Sequence, residues 1–529
     1  VSDPSPAGPT IPGGPASAAG VLDAGLAEHP DREALVGRHR RFTWTELDAE
    51  ANRAAQALAS LGVGPGDRVA MALPNDVDIV VGFLACMRLG AVWLGISLAL
   101  APPEKAYVLD DSGASVVLAT ARVAAELVPL TEASAAPARI VVVDPDDTDR
   151  VDEWRARVAV ADATPPSTAI DPHGPAAIAY TSGTTGRPKG AVHSQHNLLL
   201  PGAVARARAQ YREDDRVGVV LPLTIVNLIA LGPLLAWQVG ATCVAIDRVD
   251  APGLARWIRD ERVSAISTVP TIMHDLLTHP DVAADDLTSL RVPGVGGADC
   301  PDSFRDLYRE RFGTEVTVGY GLSEAPTAVT MTVPESVPVP GSAGRALPHV
   351  RVVIVGEDRT EVAPGEVGEI CVGPALDGPW AGVYTPMLGY WNRPTETAEA
   401  LRDGLLHTGD LGLIDEHGEV FVKDRRHDLV IRGGANVYPA EVERVLHDDP
   451  RVAACAVVGR HDERLGERVV AFVQPCEGTS IDLDELRAHC TANLARYKVP
   501  EEFHVVDTFE RNAMGKITKA GLRDRLRPT

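Results

Sequence analysis

Positive charge is in short supply along this chain: 50 Lys and Arg residues stand against 73 Asp and Glu, a formal net charge of −23 at pH 7 over 529 residues. Nucleic acid is thereby excluded as a natural partner, because phosphate backbones are bound through clustered Lys and Arg. Any anionic substrate must be held by a few local groups. Cysteine is sparse too. The seven thiols (Cys86, Cys243, Cys300, Cys371, Cys455, Cys476, Cys490) are scattered, odd in number and form no CxxC pair, so neither a zinc site nor a disulfide framework is indicated. A reducing cytoplasm suits such a set. Uninterrupted apolar runs are missing as well. The most membrane-like stretch, Ile79 to Ala101, is broken by Arg88 and Gly90, and reads as a buried helix turning into a buried strand. Val1 to Gly20 lacks both a basic start and an apolar run, so it is read as a disordered Pro/Gly/Ala/Ser tail rather than a signal peptide. No internal repeat is visible.

What is present is ordinary globular composition, 45% hydrophobic and 23% charged with mean hydropathy near zero. At roughly 150 residues per domain, the length implies two or more units. Helical periods alternate with short β-branched runs from about Asp31. Glu50–Leu61 and Val77–Leu89 read as helices; Arg68–Leu73, Ala91–Ile96, Ser115–Ala119, Arg139–Val143, Ala176–Tyr180, Ala241–Ile246 and Ala265–Val269 read as strands. Strands with helical crossovers imply largely parallel, layered sheets. Past about Pro340 the strands Val350–Val355, Gly368–Val372 and Val420–Val422 suggest a β-rich subdomain. A charged segment at 424–428 then reads as a hinge before a small α+β C-terminal domain, with a helix at Pro439–His447 and strands at Ala453–Val458 and Val469–Val473. The expected division is thus 1–20 tail, 21–423 large domain with a subdomain from about 340, 424–428 hinge and 429–529 lid.

The first chemical signal is Tyr180-Thr181-Ser182-Gly183-Thr184-Thr185-Gly186-Arg187-Pro188-Lys189-Gly190, directly after a predicted strand. Glycines and small hydroxyl residues make a loop whose N–H groups and hydroxyls wrap phosphate oxygens, and Lys189 adds charge. It is not the P-loop of kinases, since only two residues separate Gly183 from Gly186 and Gly190 follows Lys189.

This loop resembles the signature of the adenylate-forming superfamily of acyl-CoA synthetases, adenylation domains and luciferases, and five further segments match in the family's order. Gly296-Gly297-Ala298 resembles the turn along the adenine. Gly319-Tyr320-Gly321-Leu322-Ser323-Glu324 resembles the aromatic-Gly-x-Thr-Glu segment, in which the ring borders the adenine and the glutamate helps hold Mg²⁺; Ser323 keeps the usual hydroxyl. His407-Thr408-Gly409-Asp410 resembles the stretch whose aspartate accepts from the ribose hydroxyls, joined there by Arg425. Arg511-Asn512-Ala513-Met514-Gly515-Lys516-Ile517 resembles the loop carrying the adenylation lysine, whose ammonium bridges the substrate carboxylate and the α-phosphate.

The resemblance therefore implies an enzyme that uses ATP and Mg²⁺ to turn a carboxylic acid into acyl-AMP and passes the acyl group to a thiol, coenzyme A or alternatively a carrier-protein phosphopantetheine. Lys516, Glu324 and Thr184 are its implied catalytic residues. Thr181, Ser182, Gly183, Thr185, Lys189, Gly297, Ala298, Gly319, Tyr320, Gly321, Ser323, Asp410 and Arg425 complete the nucleotide set. It further implies that the C-terminal domain rotates between half-reactions about position 427, presenting Lys516 first and then Gly433-Gly434 beside a pantetheine channel.

Two positions depart from the family pattern: Thr224-Ile225 stands where many acyl-CoA synthetases carry an aromatic-His pair, and His427 stands where Asp or Lys is usual. The segment Leu221–Val239 holds no acidic residue to pair with an amino acid's ammonium group. A hydrophobic acid, fatty, aryl or bulkier, is expected in a pocket edged by Gly296, Ile225, Val226 and Asn227. A monomer or homodimer without a membrane span is expected. A catalytically inactive acyl-nucleotide binding protein is the competing class, and the joint presence of Glu324, Asp410, Arg425 and Lys516 argues against it.

Overall fold

The computed structural model describes residues 8–131, 138–144, 152–181, 187–296, 302–332, 339, 341–356, 358–425, 430–476, 478–510, 517 and 519–526. Two layered sheets dominate its larger part. One has seven strands, ordered Gly389–Tyr390, Lys189–Ser194, Pro175–Thr181, Val92–Gly95, Arg68–Ala72, Val116–Ala119, Arg139–Val142. Pro175–Thr181 and the four strands after it in this order run parallel, and Lys189–Ser194 is antiparallel to both of its neighbours, Pro175–Thr181 and Gly389–Tyr390. The other has six, ordered Val292–Val295, Ala265–Thr268, Arg216–Val219, Thr242–Ala245, Glu33–Val36, Arg41–Thr43, all parallel except Arg41–Thr43. Strands such as Val116–Ala119 and Thr242–Ala245 are buried along their whole length. Helices cover both faces, so an apolar run with no alternation is what the fold requires.

The membrane-like stretch runs from a buried helix into a strand of the seven-stranded sheet. Asp76 caps the helix Val77–Leu89 by accepting from Val77 N, every residue of the helix is buried, and Gly90 ends it at φ 66° before the strand Val92–Gly95. Arg88 does not break the helix, because it reaches Asp48 Oδ1 and Asn52 Oδ1, each at 2.6 Å, on the neighbouring helix Trp44–Ser60. That neighbour begins six residues before the expected Glu50, where Thr43 and Glu46 form a capping box. Among the described residues no helix is long and apolar enough to cross a membrane.

The expected tail is corrected for residues 8–20. Ile11 and Ala18 are buried, Ala19 N donates to Gln195 Oε1 at 2.9 Å, and Arg206 grips the carbonyl of Pro12. Two apolar anchors and these bonds outweigh a chain entropy that its prolines had already reduced. Val1–Ala7 lie outside the described residues.

Beyond Gly319 the strands pair antiparallel, except that Glu502–Val505 runs parallel to Gly466–Pro475. A three-stranded sheet is formed by Gly319–Leu322, Ala325–Met331 and Arg345–Ala346, and a five-stranded one by Val350–Val355, Gly368–Pro374, Leu405–Ile414, Leu401–Arg402 and Val420–Arg425. Val420–Arg425 continues through Asp424 and Arg425, two residues expected in the hinge, because their main chains pair with Leu411 and Asp410. Residues 426–428 of that segment lie outside the described residues. From Val430 a separate sheet, Ala435–Val437, Val430–Arg432, Gly466–Pro475 and Val452–Asp462 with Glu502–Val505 alongside, packs the helices Pro439–His447 and Leu483–Asn493 around a core of its own that includes Val442, Val457, Val473 and Leu486.

Candidate active site

The parallel strands of the two large sheets, the antiparallel hairpin and the C-terminal unit meet around a cavity of about 2470 Å³. Thr181 and Lys189 border it from the two strands that flank the Gly/Thr loop. The loop's Ser182, Gly183, Thr184 and Thr185 lie outside the described residues, as do Gly297, Ala298, His427 and Lys516. The base of the loop is braced from below. Tyr180 Oη donates to Asp111 Oδ2 at 2.8 Å, Arg393 donates to Asp111 Oδ1 at 2.7 Å, and Tyr107 Oη donates to Pro188 O at 3.1 Å.

Gly319, Tyr320, Gly321, Ser323 and Glu324 line the cavity from the hairpin. A Cβ on Gly319 would sit 2.8 Å from Thr330 O and one on Gly321 2.9 Å from Thr327 O, so the two glycines let the strands close up and aim the Tyr320 ring. Tyr320 Oη donates to Asp410 Oδ2 at 2.6 Å. Asp410 is itself fixed by its turn: its N–H donates to Thr408 Oγ1 at 3.1 Å, and Gly409 N, at φ 76°, donates to Glu369 Oε1 at 3.0 Å. Glu369 Oε2 lies 3.0 Å from His407 Nδ1, and Cys371 Sγ lies 3.3 Å from the same nitrogen. These three buried groups have the composition of a metal site, but the Arg402 guanidinium stands 3.0 Å from His407 Nδ1 and 3.4 Å from Glu369 Oε2. A cation already fills that position, and the cluster serves to hold the turn.

Glu324 faces the cavity with Oε1 held by Tyr390 Oη at 2.9 Å. Burial raises its pKa above the usual carboxylate range and the Asp410 charge adds to this, while the Tyr390 hydroxyl and Lys189 oppose it. Lys189 Nζ sits 5.3 Å above the Tyr390 ring. A carboxylate with one oxygen anchored and an unfavourable electrostatic setting is suited to a hard cation. The main chain of Arg425 pairs with Asp410; its side chain lies outside the described residues.

The acid side of the cavity is apolar. Pro201, Val204 and Ala205 project from one face of the helix Gln195–Ala207, and Leu228, Leu231 and Leu235 from the segment facing it. Ile225, Val226, Asn227 and Gly296 border the same space. Ile225 is 47% exposed, and among the described residues Asn227 Oδ1 is buried with no hydrogen-bond partner and a Cβ on Gly296 would meet nothing within 4 Å. The Thr224 backbone fits against Gly95, where a Cβ would overlap Thr224 O.

From the C-terminal unit, Gly434 reaches the cavity wall and packs on Val269; a Cβ there would lie 2.5 Å from Val269 Cγ1, and its φ is 80°. Gly433, expected beside it on a channel, stands back from the wall and donates its N–H to Leu465 O. Sequence reasoning missed Tyr390, Glu369 and Asp111. An aromatic pair after Gly389 was the signal for the first; the two carboxylates carry no local signature and are recognised only by what they hold.

Residues 22–391 match the family model for AMP-binding enzyme, and residues 441–516 match that for AMP-binding enzyme C-terminal domain. A feruloyl-CoA synthase of Amycolatopsis sp is 36% identical over 520 residues, covering 96% of this chain and 100% of that protein. A long-chain-fatty-acid–CoA ligase of Mycobacterium tuberculosis is 33% identical over 491 residues, covering 92% and 94%. Among solved structures, o-succinylbenzoate CoA synthetase from Bacillus subtilis, bound with its product analogue, matches with a TM-score of 0.83 at 29% identity over 96% of this chain and 97% of that one.

Proposed function

The chain belongs to the AMP-binding enzyme family, and on that premise we propose that it activates a hydrophobic carboxylic acid in the cavity between its two large sheets and its C-terminal unit. It is an AMP-forming acid–thiol ligase that consumes ATP with Mg²⁺ and uses coenzyme A as co-substrate. The observation that carries the finer reading is one continuous cavity. It has a polar end at Tyr320, Asp410, Glu324 and Lys189 and an apolar wall at Val204, Ala205, Leu228, Leu231 and Leu235. With no acidic residue between Leu221 and Val239, an ammonium group on the substrate has no counter-charge from this wall.

The chemistry follows from the positions. Asp410 accepts from the ribose hydroxyls, and the Tyr320 ring, steered by its bond to Asp410, borders the adenine. Thr181 and Lys189 hold the phosphates together with the Gly/Thr loop. Glu324 would hold Mg²⁺, which supplies neutralisation of phosphate charge. The substrate carboxylate attacks the α-phosphorus, pyrophosphate leaves with the electrons of the broken P–O bond, and acyl-AMP remains. Lys516, brought up by the C-terminal unit, stabilises the charge that builds in that transition state. After the unit turns about position 427, Gly434 faces Val269 and leaves a narrow way for a thiol, which displaces AMP. Close packing of Gly434 against the cavity supports assigning the present arrangement to the transfer step. No side-chain nucleophile is required, since positioning and charge neutralisation suffice.

The test is a panel of carboxylic acids in ATP–pyrophosphate exchange, followed by mass spectrometry with coenzyme A and with a holo carrier protein. Exchange with fatty or aryl acids and thioester on coenzyme A is the expected result. Exchange confined to amino acids would overturn the acid assignment, and thioester on the carrier alone would overturn the acceptor.

A further inference from the structure

A buried ammonium group joins the two parts of the molecule. Lys498, which follows the helix Leu483–Asn493 in the C-terminal unit, places Nζ 2.8 Å from Glu441 Oε1 within that unit and 2.8 Å from Glu104 Oε1 in the large domain. The three residues are 3%, 2% and 7% exposed. Glu104 has a second anchor within its own helix. It is the third residue of the helix Pro102–Ser112, and its Oε2 accepts from Ala101 N at 2.7 Å in a capping arrangement. Lys498 also borders the cavity that holds Gly434 and Glu324, with its two ion pairs turned to carboxylates and Nζ 5.7 Å from the Tyr497 ring centroid.

We propose that Lys498 and Glu104 are positioning residues for the thiol-transfer half-reaction: their buried ion pair fixes the C-terminal unit in the arrangement that brings Gly434 against Val269. The inference rests on the two-step reading above. Its physical basis is an asymmetry between the lysine's two partners. When the unit turns away, Lys498 keeps Glu441 and no unpaired ammonium is left buried, while Glu104 keeps its bond to Ala101 and gains water. Both separated states are therefore tolerable, and the cross-domain pair adds a charge-assisted bond only in the docked pose. An exposed pair, Arg464–Asp275 at 3.9 Å, also crosses the boundary, but water screens it. Burial disfavours the ammonium form, yet the Glu441 and Glu104 carboxylates raise the pKa of Lys498 above its ordinary value, so it stays charged across the working range.

Glu104→Gln tests this in the full-length enzyme. Glutamine retains an oxygen for the Ala101 N–H, so the helix keeps its cap, and only the charge facing Lys498 is lost. Transfer from preformed acyl-AMP to coenzyme A is expected to slow at least tenfold, while pyrophosphate exchange without thiol stays within twofold of the parent. Lys498→Met should do the same, and the double variant should be no slower than either single one, because one contact is being removed twice. Equal loss of both half-reactions, unchanged transfer, or additive losses would overturn the proposal. Distances between spin labels introduced at Ser60 and Thr491 by cysteine-independent chemistry read the docked population without reference to the acceptor. A variant distribution identical to the parent's also overturns it. If the parent transfers nothing to coenzyme A but Glu104→Gln depletes the docked distance, the two-step reading fails, and with it the role in transfer, while the ion pair is still shown to hold the docked arrangement.

Discussion

At the scale of single residues, Tyr390 acts through one hydroxyl. It anchors Glu324 Oε1 at 2.9 Å and its ring lies beneath Lys189, so it positions both of the charges proposed to meet the phosphates. Tyr390→Phe keeps the ring and removes the donor. Glu324, whose pKa burial already raises, becomes a poorer carboxylate, and the Mg²⁺ needed for half-maximal pyrophosphate exchange should rise about tenfold, the equivalent of roughly 1.4 kcal/mol. Acid preference should not move. Asp410 and Ile225 separate along the same line. Asp410→Ala removes the group that steers Tyr320 and should raise the KM for ATP without changing which acids react. Ile225→His places a polar ring on the apolar side and should reorder the acids while leaving the KM for ATP within about threefold, less than roughly 0.7 kcal/mol. Parallel acid panels on the two variants check this; a shift in ATP affinity alone in both removes Ile225 from the pocket.

At the scale of elements, the turn at Gly433-Gly434 matters because of what it touches. Gly434 has φ 80° and no space for a Cβ beside Val269. Gly434→Ala brings left-handed strain and a backbone shift, together roughly 2–4 kcal/mol against the docked pose. Thiol transfer should fall by two orders of magnitude or more, with acyl-AMP formation retained, and single-turnover consumption of preformed acyl-AMP reads it directly. A parent-like rate would show that the unit docks differently during catalysis. The proposed hinge gives the complementary prediction. His427→Pro fixes φ and removes an N–H donor, so acyl-AMP should form while transfer collapses, whereas His427→Ala should keep both steps within about tenfold, or roughly 1.4 kcal/mol.

At the scale of the whole molecule, rings the core has closed over contribute to the pH dependence of stability. Burial pushes His193 and His349 down to about 4, and His349 is fully buried with Thr327 Oγ1 3.0 Å from Nε2. Both pKa values are depressed relative to the unfolded chain, so between about pH 6.5 and pH 4 the unfolded state binds more protons. Stability is therefore fully present above about pH 6.5 and is lost as pH falls toward about 4, by roughly 1–2 kcal/mol per ring between about pH 7 and pH 5. Urea titrations of the parent and of His349→Gln across that interval check the sign: the parent's midpoint should fall with pH and the variant's should fall less. A midpoint that rises on acidification contradicts the assignment.

The sequence by itself determined the layered α/β plan and the family to which its motif segments belong. Both are written locally: buried parallel strands such as Val116–Ala119 read as unbroken apolar runs, and the helix Val77–Leu89 is bounded by its own Asp76 cap and Gly90. The motif residues Lys189, Tyr320, Glu324 and Asp410 are recognisable because neighbours in the chain surround them, and the fold brings all four to one cavity. Element starts were less legible, as at Trp44, where a capping box overrode the expected boundary. Residues 8–20 looked unstructured because composition reports chain entropy and not the two apolar anchors, Ile11 and Ala18, that the tertiary core accepts. What only the tertiary structure decided is which distant groups support the motifs. Glu369 under Asp410, Asp111 under the Gly/Thr loop and Glu104 against Lys498 are carboxylates separated from their partners by tens to hundreds of residues. A carboxylate's role is set by the charge and dielectric around it, and those exist only once the chain has folded.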